Sequence, residues 1–475
     1  MQDDHYDLIV IGSGPAGERA AAQAAYFGYR VALVEKEADP GGAGINTGTI
    51  PSKTLRESAL YLSGTQSRGL HGVNATIKRD IDADDFMYRE RYVVARQRER
   101  FQWNMDRHRV DVIKGRAELA GASEVIVRGA GNVRKIKTAK IIIATGSTPR
   151  HPPFLPFEDP SVYDSDSILQ MHELPKSMAV IGAGVIGCEY ATFLGAMGIR
   201  VVLINSGELL LPFLDNELSE RLFEEMAGGG IEMLTEERVV SVTRIADTTL
   251  KVILESGADF EVQSILFAAG RRPATGRMGL EETGIELDGK GYIVVDDNFQ
   301  TALPGVYAIG DAIGFPALAS TSMDQGRTAA CHAFGFEFRN KANKQLPFGI
   351  YTVPSISMVG ETEQTCIDKG IDYAVGRASY SNNPRSQIIG DEHGFMKLVF
   401  RPKDFRLLGV HIIGERSTEL IHLGACVIQF GGAIDYFIQS VFNHPTLSEI
   451  YKYAAYDGLR SLPKSVQKKV WKKAS

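Results

Sequence analysis

The sequence predicts an α/β fold in which one nucleotide-binding unit occurs twice. Two glycine-rich turns, Gly12 to Gly17 and Gly182 to Gly187, each follow a short apolar run and precede a helical stretch. A second apolar run closes each unit. Glu35 follows Gly12 by 23 positions, and Asn205 follows Gly182 by the same 23. A strand, a glycine-rich turn, a helix and a second strand are typical of the βαβ unit of a Rossmann-like domain.

The first unit begins with the apolar run Tyr6 to Ile11 and continues as an alanine-rich helix to Phe27. Gly12 permits the tight turn, Gly14 lets the backbone approach a pyrophosphate, and Gly17 allows close helix–strand packing. After the run Val31 to Val34, the carboxylate of Glu35 stands where it can accept hydrogen bonds from ribose hydroxyls.

The second unit repeats this pattern from Met178 to Ile204, with Gly182, Gly184 and Gly187 in its turn. Two such units predict two dinucleotides, of which one can be a bound flavin and the other an exchanging nicotinamide. Asn205 ends the second unit with a neutral side chain. It neither accepts from the 2′-hydroxyl of NAD nor repels the 2′-phosphate of NADP as strongly as an acid would, so both nucleotides are expected to bind.

The composition argues against two classes of partner. The chain has 475 residues and a formal net charge of −6, which argues against nucleic acid or an acidic membrane as the main partner. No apolar stretch approaches the roughly 18 residues of a spanning helix, and no secretory signal is visible, so a cytoplasmic protein is expected.

We interpret a C-terminal lysine run as a solvated tail or the polar face of a last helix. It comprises Lys464, Lys468, Lys469, Lys472 and Lys473.

The cysteines Cys188, Cys331, Cys366 and Cys426 are scattered, with no metal-binding spacing. We expect no metal site and a reducing compartment, with all four as buried structural thiols.

The segment from Gly41 to Lys53 has the frame G-G-x-C-x-x-x-x-C-x-P-S-K, with Gly44 and Thr49 at the cysteine positions. That frame resembles the redox-active segment of flavin disulfide oxidoreductases such as dihydrolipoamide dehydrogenase and glutathione reductase. Glycine and threonine cannot relay electrons as a dithiol, so we expect electrons to enter and leave through the flavin alone.

The resemblance extends along most of the chain and implies its domain organisation. The stretches Ile141 to Pro149 and Gly305 to Asp311 resemble two further FAD-domain signatures, and they bracket the second unit. A nicotinamide domain inserted into an FAD domain is therefore expected, followed by a C-terminal α+β interface domain for dimerisation. The expected limits are 1–150 for the first part of the FAD domain, 151–271 for the NAD(P) domain, 272–347 for FAD-domain completion, and 348–475 for the interface domain.

The resemblance also implies site residues. Lys53 and Glu189 are expected to pair beside flavin N5, and Asp311 is expected to bond the ribityl chain. His444 and Glu449 match the His–Glu base of disulfide reductases. Without a thiol to serve, His444 can equally be a packing residue at a subunit boundary; in the family its segment completes the partner's active site, so a homodimer is implied. The remaining expected cofactor-binding residues are Thr49, Thr145, Gly146, Gly270, Arg271 and Gly310.

The implied function is FAD-dependent hydride transfer from NADPH to flavin N5 and on to NAD, with ping-pong kinetics. Two alternatives stay open at the level of sequence. An NAD(P)H oxidase or diaphorase would pass the electrons to oxygen or a quinone and needs no additional motif. A catalytically silent FAD-binding protein would act as a redox-responsive partner, although the presence of Lys53 and Glu189 beside an intact nucleotide fingerprint disfavours it.

Overall fold

The computed structural model describes residues 5–64, 81–337, 343 and 345–464. Its first part opens with the predicted strand, turn and helix. The strands are β1 (His5–Ile11), β2 (Val31–Glu35), β3 (Asp111–Lys114), β4 (Arg116–Leu119), β5 (Glu124–Arg128) and β6 (Val133–Ile143). The helices are α1 (Pro15–Tyr26), α2 (Gly42–Asn46), α3 (Thr49–Leu62) and α4 (Ala83–His108).

The second repeat occupies the middle of the chain. Its strands and those that flank it are β7 (Ser147–Pro149), β8 (Val162–Asp164), β9 (Ser177–Ile181), β10 (Arg200–Ile204), β11 (Glu232–Leu234), β12 (Val239–Ala246), β13 (Thr249–Leu254), β14 (Asp259–Val262), β15 (Ser264–Phe267) and β16 (Arg271–Pro273). The helices are α5 (Val185–Ala196) and α6 (Asn216–Gly228).

The last part returns to the first sheet and then builds a separate one. The strands are β17 (Val306–Ala308), β18 (Phe348–Ile350), β19 (Ile356–Gly360), β20 (Ala374–Ser379), β21 (Phe395–Phe400) and β22 (Leu407–Ile413). The helices are α7 (Ala319–Ala333), α8 (Glu363–Asp368), α9 (Pro384–Ile389), α10 (Ser417–Gln429), α11 (Asp435–Gln439) and α12 (Ile450–Ser461).

Each repeat contributes strands to its own sheet. The first sheet has seven strands in the order β3-β2-β1-β6-β5-β4, and β17 pairs with β6. The second has five strands in the order β11-β10-β9-β15-β8, all parallel. Strand β17 joins the first sheet after the chain has completed the second. The limits at residues 150, 271 and 347 stay predictions.

The C-terminal sheet is antiparallel, in the order β18-β19-β22-β21-β20. Helices α10 and α12 pack on it and bury residues such as Val410, Ile421 and Tyr451. The predicted α/β class with a C-terminal α+β region is confirmed.

The two glycine-rich turns occupy the same position in their sheets. In both units the turn follows the carboxyl end of the central parallel strand, β1 or β9, where ligands bind in open α/β sheets. Within the described residues, no helix is long and apolar enough to cross a membrane.

The cysteine expectation is partly wrong. Cys188, Cys331 and Cys366 are buried, but Cys426 is exposed on α10. Sequence spacing does not reveal which face of a helix is covered. Of the C-terminal lysines only Lys464 falls within the described residues; the other four lie outside them.

Candidate functional site

A cavity of about 1690 Å³ runs between the two sheets and reaches the C-terminal region. It exceeds the roughly 300–1,000 Å³ of an ordinary small-molecule site, and this size suits two large ligands. Most of the predicted site residues line it. They are Gly12, Gly14, Glu35, Thr49, Lys53, Thr145, Gly146, Gly182, Gly184, Glu189, Asn205, Gly270, Arg271, Gly310 and Asp311. Gly17, Gly187, His444 and Glu449 are not among the lining residues.

The two turns have the same local geometry. Gly12 and Gly182 both adopt φ of 104°, a left-handed conformation that favours glycine. A Cβ atom on Gly17 would lie 1.9 Å from the carbonyl oxygen of Gly12, and one on Gly187 would lie 1.8 Å from that of Gly182. Gly17 and Gly187 therefore pack closely against the backbone of their own turns. This contact explains why they do not line the cavity.

The middle glycine of each turn faces open space. Among the described residues, apart from the chain neighbours and the adjoining helix backbone, no atom lies within 4 Å of a Cβ built on Gly14 or on Gly184. Each caps the N-terminus of its helix, α1 or α5, without a side-chain hydrogen bond to the free amides. Free amides at a helix N-terminus bind anions, so each turn can hold the pyrophosphate of a dinucleotide.

Glu35 is nearly buried at the end of β2. Its Oε2 accepts from the Ser13 amide at 2.9 Å and the Ser13 hydroxyl at 2.6 Å, and its Oε1 accepts from the Glu37 amide at 2.8 Å. An ionised carboxylate has about four acceptor sites, so one remains for a ligand hydroxyl.

Asn205 holds the corresponding position at the end of β10. Its side-chain amide donates to the carbonyl oxygens of Gly207 at 2.8 Å and Leu209 at 3.1 Å. Both N–H groups are therefore used within the loop, and among the described residues no donor is found for the side-chain carbonyl oxygen of Asn205, a residue that lines the cavity.

Lys53 and Glu189 meet where the two nucleotide-binding units face each other. The Nζ of Lys53, on α3, lies 2.7 and 2.6 Å from the two carboxylate oxygens of Glu189, on α5. Glu189 is buried and also accepts from the Tyr351 amide at 2.9 Å. The Lys53 side chain stays about a quarter exposed toward the cavity. The pair thus fixes one cation at the junction of three segments of chain.

The positions of the missing cysteines also line the cavity. Gly44 lies on α2, and Thr49 is the first residue of α3. None of the described lining residues is a cysteine. The thiol of Cys188 lies behind the second turn, donates to the Ala183 carbonyl at 3.4 Å, and has its pKa raised by burial. A thiol in that state is a poor nucleophile.

Asp311 belongs to a hydrogen-bonded group at the end of the first sheet. The Ser147 hydroxyl donates to Oδ2 of Asp311 at 2.8 Å, and the Nε of Arg271 donates to the same hydroxyl at 2.9 Å. Arg271 also binds Ser165 and Asp166. Its guanidinium is thus largely satisfied by protein groups, so it contributes more to joining β7 and β16 than to capturing a phosphate.

The side chain of Thr145 indicates that a ligand binds in this part of the cavity. Its Oγ1 is buried and has no hydrogen-bond partner among the described residues. Buried hydroxyls without a partner are rare in folded proteins, so this one fits a polar group supplied by a cofactor.

His444 and Glu449 form a pair outside this cavity. The Nδ1 of His444 lies 3.0 Å from a Glu449 oxygen, while the His444 side chain is 64% exposed. Glu449 is partly buried and accepts from the Thr446 amide at 3.2 Å. Within one chain the pair therefore does not reach the Lys53–Glu189 centre.

Sequence reasoning missed an aromatic wall in the cavity, formed by Phe213, Phe315 and Phe348. The ring centroids are 5.5 Å apart for Phe213 and Phe348, 6.0 Å for Phe315 and Phe348, and 6.2 Å for Phe213 and Phe315. The three residues come from segments far apart in the chain, so no local pattern could have joined them.

Family models match nearly the whole described chain. The model for pyridine nucleotide-disulphide oxidoreductases matches residues 6–326, and the model for the dimerisation domain of the same family matches residues 346–455.

Named relatives and solved structures agree with that match. The chain is 41% identical over 461 residues to a soluble pyridine nucleotide transhydrogenase of Mycobacterium bovis (strain BCG / Pasteur 1173P2), covering 96% of this chain and 98% of the relative. Identity to the protein of the same name in Erwinia tasmaniensis is 38%, with the same coverage.

Among solved structures, LpdA from Mycobacterium tuberculosis superposes with a TM-score of 0.88 at 26% identity, covering 96% of this chain and all of that one. A Cu(II) complex of the HOCl-induced flavoprotein disulfide reductase RclA from Escherichia coli superposes with a TM-score of 0.86 at 28% identity, covering 95% and 99%.

Proposed function

Because the chain belongs to the pyridine nucleotide-disulphide oxidoreductase family, whose members are oxidoreductases that use FAD with NAD(P), we propose that it is a transhydrogenase without a redox-active disulfide. One observation carries the proposal. The cavity is lined by two glycine-rich turns of the same geometry and by Lys53, whose ammonium is paired with Glu189, but by no cysteine among its described lining residues. Such a site can exchange hydride between nucleotides and has no dithiol to pass electrons further.

The first turn would hold FAD. Gly12 and Gly14 would receive its pyrophosphate, Glu35 its adenosine ribose, and Asp311 with Thr145 its ribityl and flavin region. When bound, FAD supplies the two-electron chemistry by which a hydride taken from one nicotinamide is returned to another.

Lys53 would stabilise the negative charge that develops on the flavin during reduction. Its ammonium is held by both oxygens of a buried carboxylate, so it keeps a fixed position. A preorganised cation beside a centre that gains negative charge lowers the barrier for that step without reorganisation. Glu189 would orient the lysine, and the Tyr351 amide would orient Glu189.

The second turn would hold NADPH and NAD in succession. The neutral Asn205, with one free acceptor oxygen, offers an adenosine ribose hydroxyl a partner and places no anion against a 2′-phosphate. One site used by both nucleotides gives ping-pong kinetics, with NADP leaving before NAD binds.

We further propose a homodimer. The dimerisation model covers the C-terminal sheet, and relatives named soluble pyridine nucleotide transhydrogenase match over nearly their full length. His444 would then be a boundary residue rather than a base, because no thiol needs its proton.

Steady-state kinetics test this function. We expect purified protein to carry FAD and to reduce NAD with NADPH under argon, with parallel double-reciprocal lines. Fast NADPH oxidation that depends on oxygen or a quinone, with negligible reduction of NAD, would favour an oxidase or diaphorase instead. Bound FAD that no nicotinamide nucleotide reduces would favour a redox-silent protein.

A further inference from the structure

A cluster of five charged side chains lies between the second nucleotide-binding unit and the C-terminal sheet. The Lys397 ammonium, on β21, is 2.7 Å from Asp215 and 3.0 Å from Glu217, and it also contacts Glu363. Arg377 binds Glu217 at 2.8 Å and Glu363 at 3.3 Å. The side chains of Lys397 and Asp215 are only 1% and 2% exposed. The cluster therefore ties the start of α6 to β20, β21 and α8.

Stability alone gives a weak reason for such a cluster. Removing ions from water costs several kcal/mol for each ion, and an apolar replacement for a buried ion pair is often as stable. Asp215, Glu217 and Glu363 offer oxygens within 4.8 Å of one another, as a divalent cation site would. Here the Lys397 ammonium contacts all three carboxylates and supplies the cation itself. What the cluster provides is a defined position for the groups it holds.

Asp215 connects the cluster to the segment of chain that contributes Phe213 to the cavity. Its Oδ1 accepts from the Glu217 amide at 3.2 Å and caps α6, and its Oδ2 accepts from the Glu363 amide at 3.2 Å. Leu211, four residues earlier, is buried with a φ of 47°. A left-handed leucine costs about 1–3 kcal/mol and persists only when its surroundings hold it. The segment from Leu211 to Asp215 is thus held at its end by the ion cluster.

Phe213 lies in the middle of that segment and in the cavity. Its ring packs against Phe348, three residues before Tyr351, whose amide binds Glu189 of the Lys53 pair. The third ring of the wall, Phe315, is 74% exposed and can be covered by a flat ligand. The aromatic wall therefore borders the place where nicotinamides would exchange hydride.

We infer that the ion cluster around Lys397 is a positioning device for Phe213, which holds its ring against the nicotinamide of the bound nucleotide. This inference rests on the nicotinamide site proposed above. Lys397 would be a positioning residue, since it acts through Asp215 and the Leu211–Asp215 segment and touches no ligand.

A double-mutant cycle tests it. NAD is titrated into the oxidised holoprotein, and its dissociation constant is read from the flavin absorption spectrum, so no turnover is needed. We expect Phe213→Ala to weaken binding about 2- to 12-fold, the range of one aromatic contact. Lys397→Met is expected to weaken it similarly, because three carboxylates then repel one another. In the Phe213→Ala background, Lys397→Met should add less than about a twofold change.

The matched control is Lys369→Met, which removes an exposed ion pair with Glu361 near the same cluster. This change should leave the dissociation constant for NAD unaltered, both in the wild-type protein and in Phe213→Ala. If Lys397→Met does not yield folded holoprotein, Asp215→Asn, which keeps the shape of the helix cap, replaces it in the cycle. Effects that simply multiply in the double variant, or an unchanged dissociation constant in folded Lys397→Met, would overturn the inference. If the wild-type protein exchanges hydride and the cycle gives such a result, only this inference fails. If the wild-type protein binds no NAD, the proposed function fails as well.

Discussion

Lys53 differs from an ordinary surface lysine because both oxygens of a buried carboxylate hold its ammonium. The partner, Glu189, is fixed in turn by the Tyr351 amide. A surface ion pair contributes little because its side chains move. Here the partner carboxylate is buried, and the lysine that it holds lines the cavity.

We therefore predict that Lys53→Met slows flavin reduction by NADPH far more than it weakens nucleotide binding. Loss of one preorganised contact of this kind typically costs about 2.7–4 kcal/mol in the barrier, or roughly 10²- to 10³-fold in rate. Anaerobic stopped-flow at several NADPH concentrations separates the limiting rate from the dissociation constant. Lys251→Met, which breaks an exposed pair with Asp259, serves as control. A limiting rate equal to wild type would show that Lys53 is structural only.

A second residue-scale prediction concerns nucleotide choice at Asn205. In Asn205→Glu a carboxylate meets the 2′-phosphate of NADPH, which carries roughly −1.5 to −2 charges. Each unit-charge pair at about 4 Å is worth ~4 kcal/mol at an effective dielectric near 20, before screening. We expect at least a tenfold higher KM for NADPH, with little change for NADH.

Asn205→Gln is the matched control, since it has the same length as glutamate and no charge. Both glutamate and glutamine disturb the amide contacts with Gly207 and Leu209, so only their difference reports the charge. Equal shifts of the NADPH and NADH constants in Asn205→Glu would mean that this residue does not face the adenosine ribose.

At the scale of elements, α2 shows how closely the glycine at the first cysteine position of the motif is packed. A Cβ atom on Gly44 would lie 2.4 Å from Cγ of Pro15, at the start of α1. Arg98 on α4 holds the same segment through Asn46 at 2.8 Å and Asp39 at 3.1 Å. The helix is packed against the first turn at a distance that only glycine permits.

Gly44→Ala should therefore destabilise the protein. Overpacking typically costs about 1–3 kcal/mol, more than the 0.4–1 kcal/mol gained from a stiffer unfolded chain. Gly289→Ala is the control, because a Cβ there meets no atom within 4 Å in the described part of the chain, its chain neighbours aside. Chemical unfolding of the two variants gives the comparison. If both variants match wild type, α2 has room to move away from Pro15.

The elements with local signals were predictable. The apolar runs predicted β1 and β9 to within one residue, whereas α1 and α5 begin three residues earlier than the ends of the glycine-rich turns indicated. The Lys53–Glu189 pair, 136 positions apart in the chain, was expected only through resemblance. Phe315 and Phe348 had no such signal. Their meeting with Phe213 depends on how three distant segments pack, and the burial of Lys397 depends on partners from α6 and α8.

For the whole molecule, the central claim is that hydride is exchanged through one cofactor without a thiol relay. The two sheets bring two glycine-rich turns, each proposed to bind a dinucleotide, to one cavity, and its described lining contains no cysteine. An enzyme with a dithiol beside its flavin accepts four electrons, whereas a flavin alone accepts two.

Anaerobic titration with NADPH, followed by addition of NAD, tests this claim most directly. We predict that one equivalent of NADPH per FAD completes the bleaching of the flavin, with no long-wavelength thiolate charge-transfer band. One equivalent of NAD should then restore the oxidised spectrum and yield one NADH. An endpoint at two equivalents of NADPH, or a bleached protein that NAD fails to reoxidise, would contradict it.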